Sequence, residues 1–201
     1  MASGCDEHEW LDAGIFRRAV LTVACVLSAG PKRAYDRSHV ARLQTMIARH
    51  LAAPHRFVCL DDAPWPGWWA KIALFAPGRF AGRVLYLDLD VTVTGDLAPL
   101  AHFAAPFAIV KDWHRPGFNS SVMAWQAGAA DRLCTAFDAD VMRRLSGDQD
   151  WINERMPNAA TFPLGWCVSY RRDVRPRNHV PSTARVVCYH GFPKPWDVEA
   201  A

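Results

Sequence analysis

The stretch RVLYLDLDVTV, residues 83–93, decides the fold of this chain, because an apolar strand carries two carboxylates at alternate positions near its end. The residues before Asp88 have no polar face, which is typical of a central parallel strand covered on both sides. Side chains two residues apart on a strand point to one face, so Asp88 and Asp90 are expected to converge. Converging carboxylates repel unless a proton or a cation neutralises them, and oxygen ligands favour Mg²⁺ or Mn²⁺. The pattern predicts a divalent metal site completed by the phosphate or diphosphate of a substrate.

The composition is that of a globular protein large enough to enclose a core. With 201 residues, of which 51% are hydrophobic and 21% charged, the chain is expected to form one domain over residues 1–201, with 1–17 as a poorly ordered N-terminal extension. A net charge of +3, without a lysine-rich tract, argues against a nucleic-acid partner. The six cysteines show no metal-type spacing and are predicted to be reduced thiols.

The apolar run after Arg17 and Arg18 has some likeness to a signal peptide. Acidic residues precede it, however, and it is too short to span a bilayer, so it is predicted to be a buried first strand. The protein is therefore expected to be cytoplasmic, with at most peripheral membrane association.

Strand and helix patterns alternate along the chain, which predicts an α/β sandwich with a mostly parallel central sheet. The predicted strands are residues 19–27, 56–60, 83–93, 107–110, 121–125 and 185–190. The predicted helices are residues 36–51, a short helix through 69–74, a long helix over 127–145 and a short one over 148–156.

Three further polar groups fall at element boundaries, where functional side chains tend to lie. They are the segments GFNSS at 117–121, GDQD at 147–150 and HGFPKPW at 190–196. Taken singly, each has an ordinary structural explanation: an Asn/Ser turn, a helix cap at Asp148 and a structural histidine. Asn119 could nevertheless bind a polyhydroxylated ligand, and His190 with Lys194 combines a metal ligand with a cation for phosphate.

Together these segments resemble the GT-A glycosyltransferases, most closely the family-8-like group that includes glycogenin and the bacterial lipopolysaccharide galactosyl- and glucosyltransferases. Residues 84–100 match the pattern VLYLDxDxxVxGDLxxL of that group, and 118–122, 148–153 and 190–196 match its FNSGV, DQDxxN and HxxGxxKPW segments in the same order. Two departures stand out. The last motif is two residues shorter between His190 and Lys194, and the first strand ends in Ser28-Ala29-Gly30 where the relatives have acidic residues.

The resemblance implies an enzyme with a GT-A, Rossmann-like fold: a metal-dependent hexosyltransferase that uses a nucleotide-sugar, a UDP-sugar in most relatives, and retains anomeric configuration. It implies Mn²⁺ or Mg²⁺ held by Asp88, Asp90 and His190. The implied nucleotide-sugar-binding residues are Lys71, Asp88, Leu89, Asp90, Ser120, Lys194 and Trp196. The implied catalytic residues are Asn119, Asp148 and Gln149, with Asp148 a candidate for stabilising the oxocarbenium-like centre or acting as nucleophile. The acceptor, a glycan, a lipid-linked sugar or a protein, is not specified.

Two other functions are compatible with the same strand. The segment from Asp88 to Thr92 also fits the Asp-x-Asp-x-Thr loop of haloacid-dehalogenase-like phosphatases, in which Asp88 is the nucleophile and Asp90 the acid/base. That loop normally lies on the first strand of its domain, whereas here strands are predicted before it. The other possibility is a catalytically degenerate protein that binds nucleotide-sugar without turnover. If the transferase hypothesis holds, Asp90→Ala is expected to abolish metal-dependent turnover and leave the fold intact.

Overall fold

The structure, a computed structural model, describes residues 21–28 and 35–199. Its strands are β1 Leu21–Val26, β2 His55–Leu60, β3 Arg83–Leu87, β4 Val91–Val93, β5 Phe107–Lys111, β6 Phe118–Gln126, β7 Ala160–Thr161, β8 Cys167–Ser169 and β9 Val186–Cys188. The central sheet has the order β2-β1-β3-β6-β5-β7, and a smaller sheet has the order β4-β9-β8. In the central sheet only β6 is antiparallel to its neighbours β3 and β5, so the predicted α/β class with a mostly parallel sheet is confirmed.

The helices flank the central sheet. They are α1 Arg37–His50, α2 Ala98–Ala101, α3 Arg132–Thr135, α4 Ala139–Arg144, α5 Asp148–Arg155 and α6 Pro195–Glu199, together with the 3₁₀ helices Gly67–Phe75 and Arg175–Arg177 and the π-helix Tyr170–Val174. Helix α1 begins at a capping box, in which the Asp36 carboxylate accepts from the backbone N–H of Ser38 and His39 Nδ1 accepts from the backbone N–H of Asp36.

Two hydrophobic clusters cover the two faces of the central sheet. Strand β3 contributes to both because its side chains alternate: Leu85 and Leu87 pack with α1, whereas Val84 and Tyr86 pack with the 3₁₀ helix Gly67–Phe75 and with α5. The side chain of Asp88, two residues further along, lies on the same face of the sheet as that of Tyr86. The core thereby fixes the side of the sheet to which this carboxylate points.

The predicted strand over residues 83–93 is wrong as a single element. Strand β3 ends at Leu87, and Asp88, Leu89 and Asp90 connect it to β4, which belongs to the smaller sheet. The backbone N–H of Asp88 still donates to Ser121 O of β6 (2.9 Å), whereas Val91 pairs with Cys188 of β9. The chain therefore passes from the central sheet to the smaller sheet in the segment that carries Asp88 and Asp90.

The predicted long helix over 127–145 is also wrong, because turns and the two short helices α3 and α4 occupy this segment. Gly128 has a φ of +89°, which a right-handed helix cannot accommodate. Asp138 has an extended backbone, and its Oδ1 accepts from the backbone N–H groups of Asp140 and Val141, so a new helix begins after it.

The remaining predictions agree with the structure to within a few residues, and some short elements were not predicted. Those missed are β4, β7, β8, α2, α6, the 3₁₀ helix Arg175–Arg177 and the π-helix. The predicted N-terminal extension, residues 1–17, and the first two residues of the predicted first strand lie outside the described residues. No helix within 21–28 or 35–199 combines the length and apolar character needed to cross a bilayer.

Candidate functional site

A pocket of about 290 Å³ lies where β3, β6, α5 and the segment after β9 come together. Because β6 runs antiparallel to β3, with Leu87 opposite Val122, the first residues of β6 lie beside the last residues of β3. The lining residues are Trp68, Lys71, Asp88, Asp90, Arg115, Asn119, Ser120, Ser121, Ser146, Gly147, Asp148, Gln149, Asp150, Tyr189, His190 and Gly191. All four predicted segments therefore contribute to one pocket.

Lys71 holds Asp88 in this pocket. Its Nζ lies 2.8 Å from Asp88 Oδ1 and donates to Ser120 Oγ at 3.0 Å. Burial favours the neutral carboxyl of Asp88, but the charge and hydrogen bond of Lys71 outweigh it, helped by a hydrogen bond from Tyr86, so the pKa of Asp88 is lowered. Burial by itself lowers the pKa of Lys71, and the attraction of Asp148 and Asp88 raises it above its ordinary value. At neutral pH Asp88 and Lys71 are both charged.

Asp148 is the least satisfied acid in the pocket. It is the first residue of α5 and is buried, and its Oδ2 has no hydrogen-bond partner among the described residues. The nearest cation on that oxygen is Lys71 Nζ at 3.6 Å. Burial raises the pKa of Asp148, and although Lys71 pulls it down, it stays above the usual range. Its Oδ2 therefore lacks a donor that a ligand hydroxyl could supply.

Asp90 is held by a second lysine. Lys194 Nζ donates to Asp90 Oδ2, and both side chains are buried. The hydroxyl of Tyr35 donates to the same oxygen at 2.9 Å. Lys194 is not part of the pocket lining and reaches Asp90 from behind it.

His190 lines the same pocket from its other side. Its ring stacks on Trp113 with centroids 5.6 Å apart, and its Nε2 lies 2.6 Å from Ser169 Oγ and 3.3 Å from His114 Nε2. Burial, followed by the charges of His114 and Arg171, lowers the pKa of His190, so the ring is neutral at neutral pH and able to act as a ligand. Among residues 21–28 and 35–199, no three His, Cys, Asp or Glu side chains are grouped as a metal site, so His190 does not join Asp88 and Asp90 in a ready ligand set.

The other predicted residues divide into two groups. Asn119, Ser120 and Gln149 line the pocket, and Asn119 Oδ1 accepts from the backbone N–H of Ser121 (3.0 Å), which leaves the amide nitrogen to face a ligand. Leu89 and Trp196 lie outside the lining. Leu89 is buried in the cluster beside α1, and the Trp196 ring packs edge-on against Tyr35 and His39.

Sequence reasoning missed Tyr35, Tyr86 and Arg115. Tyr86 lies two residues before Asp88 on the same face of β3 and donates to its Oδ1 (2.6 Å), so the period of the strand could have indicated it. Arg115 pairs with Asp150 at 2.7 Å across the pocket rim, and Tyr35 reaches Asp90 over 55 residues. No local pattern signals those two contacts.

Solved structures similar to this one include several glycosyltransferases. The crystal structure of the glycosyltransferase GlyE of Streptococcus pneumoniae TIGR4 superposes with a TM-score of 0.59 at 15% identity, covering 89% of this chain and 57% of that one. A glycosyltransferase involved in glycosylation of the major capsid of PBCV-1 gives a TM-score of 0.63 at 14% identity over 87% of this chain and 94% of that one. The galactosyltransferase LgtC, in complex with donor and acceptor sugar analogs, gives 0.55 at 15% identity over 87% and 89%.

The fold is that of the GT-A glycosyltransferases. The predicted resemblance is therefore confirmed at the level of fold. This chain spans 57% of the length of GlyE. No protein-family model matches the sequence, and no curated protein is similar to it.

The carboxylates of this GT-A fold have the chemistry expected for Mn²⁺ or Mg²⁺. Three of them, Asp88, Asp90 and Asp148, face two lysines, Lys71 and Lys194, so the cluster carries one uncompensated negative charge. Hard divalent cations are commonly held by one or two carboxylates plus substrate phosphates, and Asp88 and Asp90 offer those carboxylates at the pocket wall. The donor set fits such an ion, with its remaining ligands coming from a substrate.

Proposed function

We propose that this protein is a metal-dependent hexosyltransferase that transfers a hexose from a nucleotide-sugar, a UDP-sugar, to an acceptor with retention of configuration. The observation that carries the proposal is the cluster of three carboxylates and two lysines at one pocket of a glycosyltransferase fold. A diphosphate supplies the anionic oxygens that Lys71 and a divalent ion bind. The choice of UDP as the nucleotide and the retention of anomeric configuration are inferred from the resemblance of the motifs. The cytoplasmic location and peripheral membrane contact expected from the sequence stay predictions.

Lys71 acts on the leaving group, whereas Lys194 holds Asp90 in place. Negative charge grows on the departing diphosphate as the glycosidic bond breaks, and a preorganised cation stabilises that charge more than it stabilises the ground state. Lys71 is already held by Asp88 and Ser120, so its ammonium does not have to be ordered during the reaction. Lys194 fixes Asp90 in the same way from outside the pocket. A bound Mn²⁺ or Mg²⁺ held by Asp88 and Asp90, with its other ligands from the diphosphate, would add Lewis-acid stabilisation of the same charge.

Asp148, Asn119 and Gln149 bind the sugar. The unpartnered Oδ2 of Asp148 accepts a hydrogen bond from a donor-sugar hydroxyl, which removes the cost of burying an unsatisfied oxygen. The Asn119 and Gln149 amides provide both donors and acceptors at the same wall. A carboxylate in this position also favours positive charge at the anomeric carbon, which is the role we assign to Asp148.

The proposal is tested by the melting temperature of the protein with UDP-, GDP- and ADP-sugars, each with and without Mn²⁺. A ligand that binds only the folded chain raises the midpoint by mass action, by about 2.7 kcal/mol of stability at one hundred times its dissociation constant. The expected result is a manganese-dependent rise with one UDP-sugar, accompanied by slow release of UDP. No rise with any nucleotide-sugar would overturn the proposal.

The variant Asp90→Asn tests whether the manganese-dependent rise in melting temperature comes from this pocket. Asn keeps an oxygen for Lys194 but removes the charge, so the manganese-dependent rise should disappear. Both Asp90→Asn and Asp90→Ala leave the buried Lys194 ammonium without a counter-charge, a change that costs about 3–5 kcal/mol in typical buried pairs. Asp90→Asn is preferred because the amide oxygen still accepts the hydrogen bond of Lys194. Asp62→Asn, an exposed acid beyond β2, is the matched control and should behave as wild type.

Neither alternative function has an observation in its favour. A haloacid-dehalogenase-like phosphatase needs Thr92 at its reaction centre, but Thr92 is outside the pocket lining and accepts from Arg42 of α1 at 3.1 Å. A catalytically degenerate protein would show the UDP-sugar shift with neither transfer nor hydrolysis. The thermal assay combined with measurement of UDP release separates all three functions.

A further inference from the structure

We infer that a second cavity binds the acceptor, and that this acceptor carries an oxyanion, a phosphate or a carboxylate, on its glycan. The inference rests on the proposed function, because it names the substrate class that the transferase would glycosylate. The cavity measures about 540 Å³ and is larger than the pocket of Asp88. Its position, its charges and its apolar residues each support the assignment.

Two stacked rings separate the cavity from the first pocket. Trp113 lines the second cavity and stacks on His190, which lines the first. Residues 111–113 border the second cavity and Arg115 borders the first, so a single loop after β5 contributes to both. A molecule seated in the second cavity is therefore within reach of a donor bound in the first, as transfer requires.

The charged side chains of this cavity favour an anion. Lys111, Arg172 and Arg177 line it, and no carboxylate of the described chain forms an ion pair with any of them. Arg172 donates to the backbone oxygen of Trp113, and Arg177 donates to that of Asp173 (3.1 Å). A guanidinium has five N–H donors, so these contacts orient the two arginines and leave donors for an oxyanion.

The carboxylates of the two acidic residues in the lining accept hydrogen bonds from backbone N–H groups. Asp112 Oδ1 accepts from the N–H groups of His114 and Arg115, and Asp173 Oδ2 accepts from the N–H of Ser169. They shape the loop and the π-helix, and Asp112 Oδ2 also lies 3.9 Å from Arg115 Nε. With three cations and two carboxylates in its lining, the cavity has a formal charge of +1.

The apolar lining fits a sugar ring. Trp113 and Phe162 provide aromatic surface, and Leu164 is 87% exposed at the rim, which is unusual for a leucine. Aromatic and aliphatic surface next to oriented polar groups is typical of small-molecule sites. An anionic sugar uses both features, whereas a neutral sugar uses only the apolar one.

The experiment is ligand-observed NMR on the full chain with three probes: glucose 6-phosphate, glucuronic acid and methyl glucoside. UDP is present throughout, because a phosphate could otherwise bind Lys71 in the first pocket. We expect one or both anionic probes to bind about tenfold more tightly than methyl glucoside, as charge-assisted hydrogen bonds would give. Comparison of the two anionic probes distinguishes a phosphate acceptor from a carboxylate one.

Variants locate the binding. Arg177→Gln and Lys111→Gln should each weaken the anionic probe about tenfold and leave methyl glucoside unchanged. Arg172→Gln is a less specific variant, because it also removes the hydrogen bond that Arg172 donates to the backbone carbonyl of Trp113. Arg175→Gln is the matched control, because it removes the same charge from the same segment outside the lining and should bind as wild type.

Equal binding of charged and neutral probes, or unchanged binding in Arg177→Gln and Lys111→Gln, would overturn the inference. The UDP signal in the same spectra reports separately on the first pocket. If UDP fails to bind while the arginine-dependent probe binding persists, the proposed function fails and the anion site stands.

Discussion

At the residue scale, Asp148 shows how a functional group lowers stability. Its carboxylate is buried, its Oδ2 lacks a partner, and its pKa is raised by burial despite the nearby Lys71. A folded state that raises the pKa of a carboxyl group disfavours its charged form. Asp148 therefore reduces the stability of the ligand-free protein at neutral pH in return for a free acceptor in the pocket.

Asp148→Asn should stabilise the protein at neutral pH and abolish turnover. The stability contributed by Asp148 is fully present below the pKa of the unfolded chain, about 3.9, and is lost as pH rises through the raised folded pKa. Asn mimics the protonated acid at every pH, so its advantage should grow between pH 4 and neutral pH, by about 1.4 kcal/mol per pH unit at most. Urea unfolding of both proteins between pH 4 and 8 measures this difference.

Asp62→Asn is the control for that series, because the side chain is exposed and outside the pocket. Its stability should follow that of wild type at every pH. An Asp148→Asn variant that is less stable than wild type at pH 7 would contradict the argument, since it would mean that the attraction of Lys71 dominates over burial.

At the scale of elements, the pocket depends on how the loop after β5 returns into β6. The loop closes through a hydrogen bond from Asp112 N to Gly117 O (3.0 Å), and Gly117 has a φ of +111°. A Cβ at Gly117 would lie 2.9 Å from Asn153 Oδ1 on α5, the helix that begins with Asp148. This glycine therefore permits both the turn and the close approach of the Asn153 side chain.

Gly117→Ala should destabilise the protein more than Gly128→Ala. Both positions have positive φ, a conformation that costs of order 1–3 kcal/mol for residues with a Cβ. A Cβ added at Gly128 would meet no atom within 4 Å, so only Gly117→Ala also displaces a neighbour, Asn153. Urea unfolding compares the two variants, and equal losses would show that the contact with α5 is unimportant. Affinity for nucleotide-sugar should fall only in Gly117→Ala.

At the scale of the whole molecule, the reactivity of the cysteine thiols measures how accessible the core is to solvent. Cys25, Cys59, Cys134, Cys167 and Cys188 are all free thiols. Cys25, Cys167 and Cys188 are buried, and burial raises the pKa of each of these three thiols. Cys59 and Cys134 are partly exposed.

The native protein should react with iodoacetamide at Cys59 and Cys134 long before Cys25, Cys167 and Cys188. The thiolate is the reactive form, so burial slows the reaction both by blocking access and by raising the pKa. Peptide mass spectrometry after a brief exposure, with and without urea, gives the order of modification. Rapid labelling of Cys188 in the native protein would show that the smaller sheet opens in solution.

Some features of the fold and site could be predicted because their signals are local. The apolar run of β3 with its two alternate carboxylates, the helical pattern of residues 36–51 and the four short motifs depend on neighbours within a few positions. These signals were sufficient for the α/β class and most element positions, and the resemblance of the motifs implied that Asp88, Asn119, Asp148 and His190 share one site. They failed at residues 127–145, where the helical pattern could not reveal the break that Gly128 and Asp138 impose.

The sequence by itself determined which residues could do chemistry, since side-chain type and short spacing are properties of the chain alone. Only the tertiary structure decided how their charges are balanced: Lys194 pairs with Asp90 across 104 residues, and Lys71 lies between Asp88 and Asp148. It also decided that β3 and β4 belong to different sheets and that Trp113 separates two cavities. The physical reason is that pKa values, ion pairs and cavities depend on distances between segments far apart in the chain, and packing of the core sets those distances.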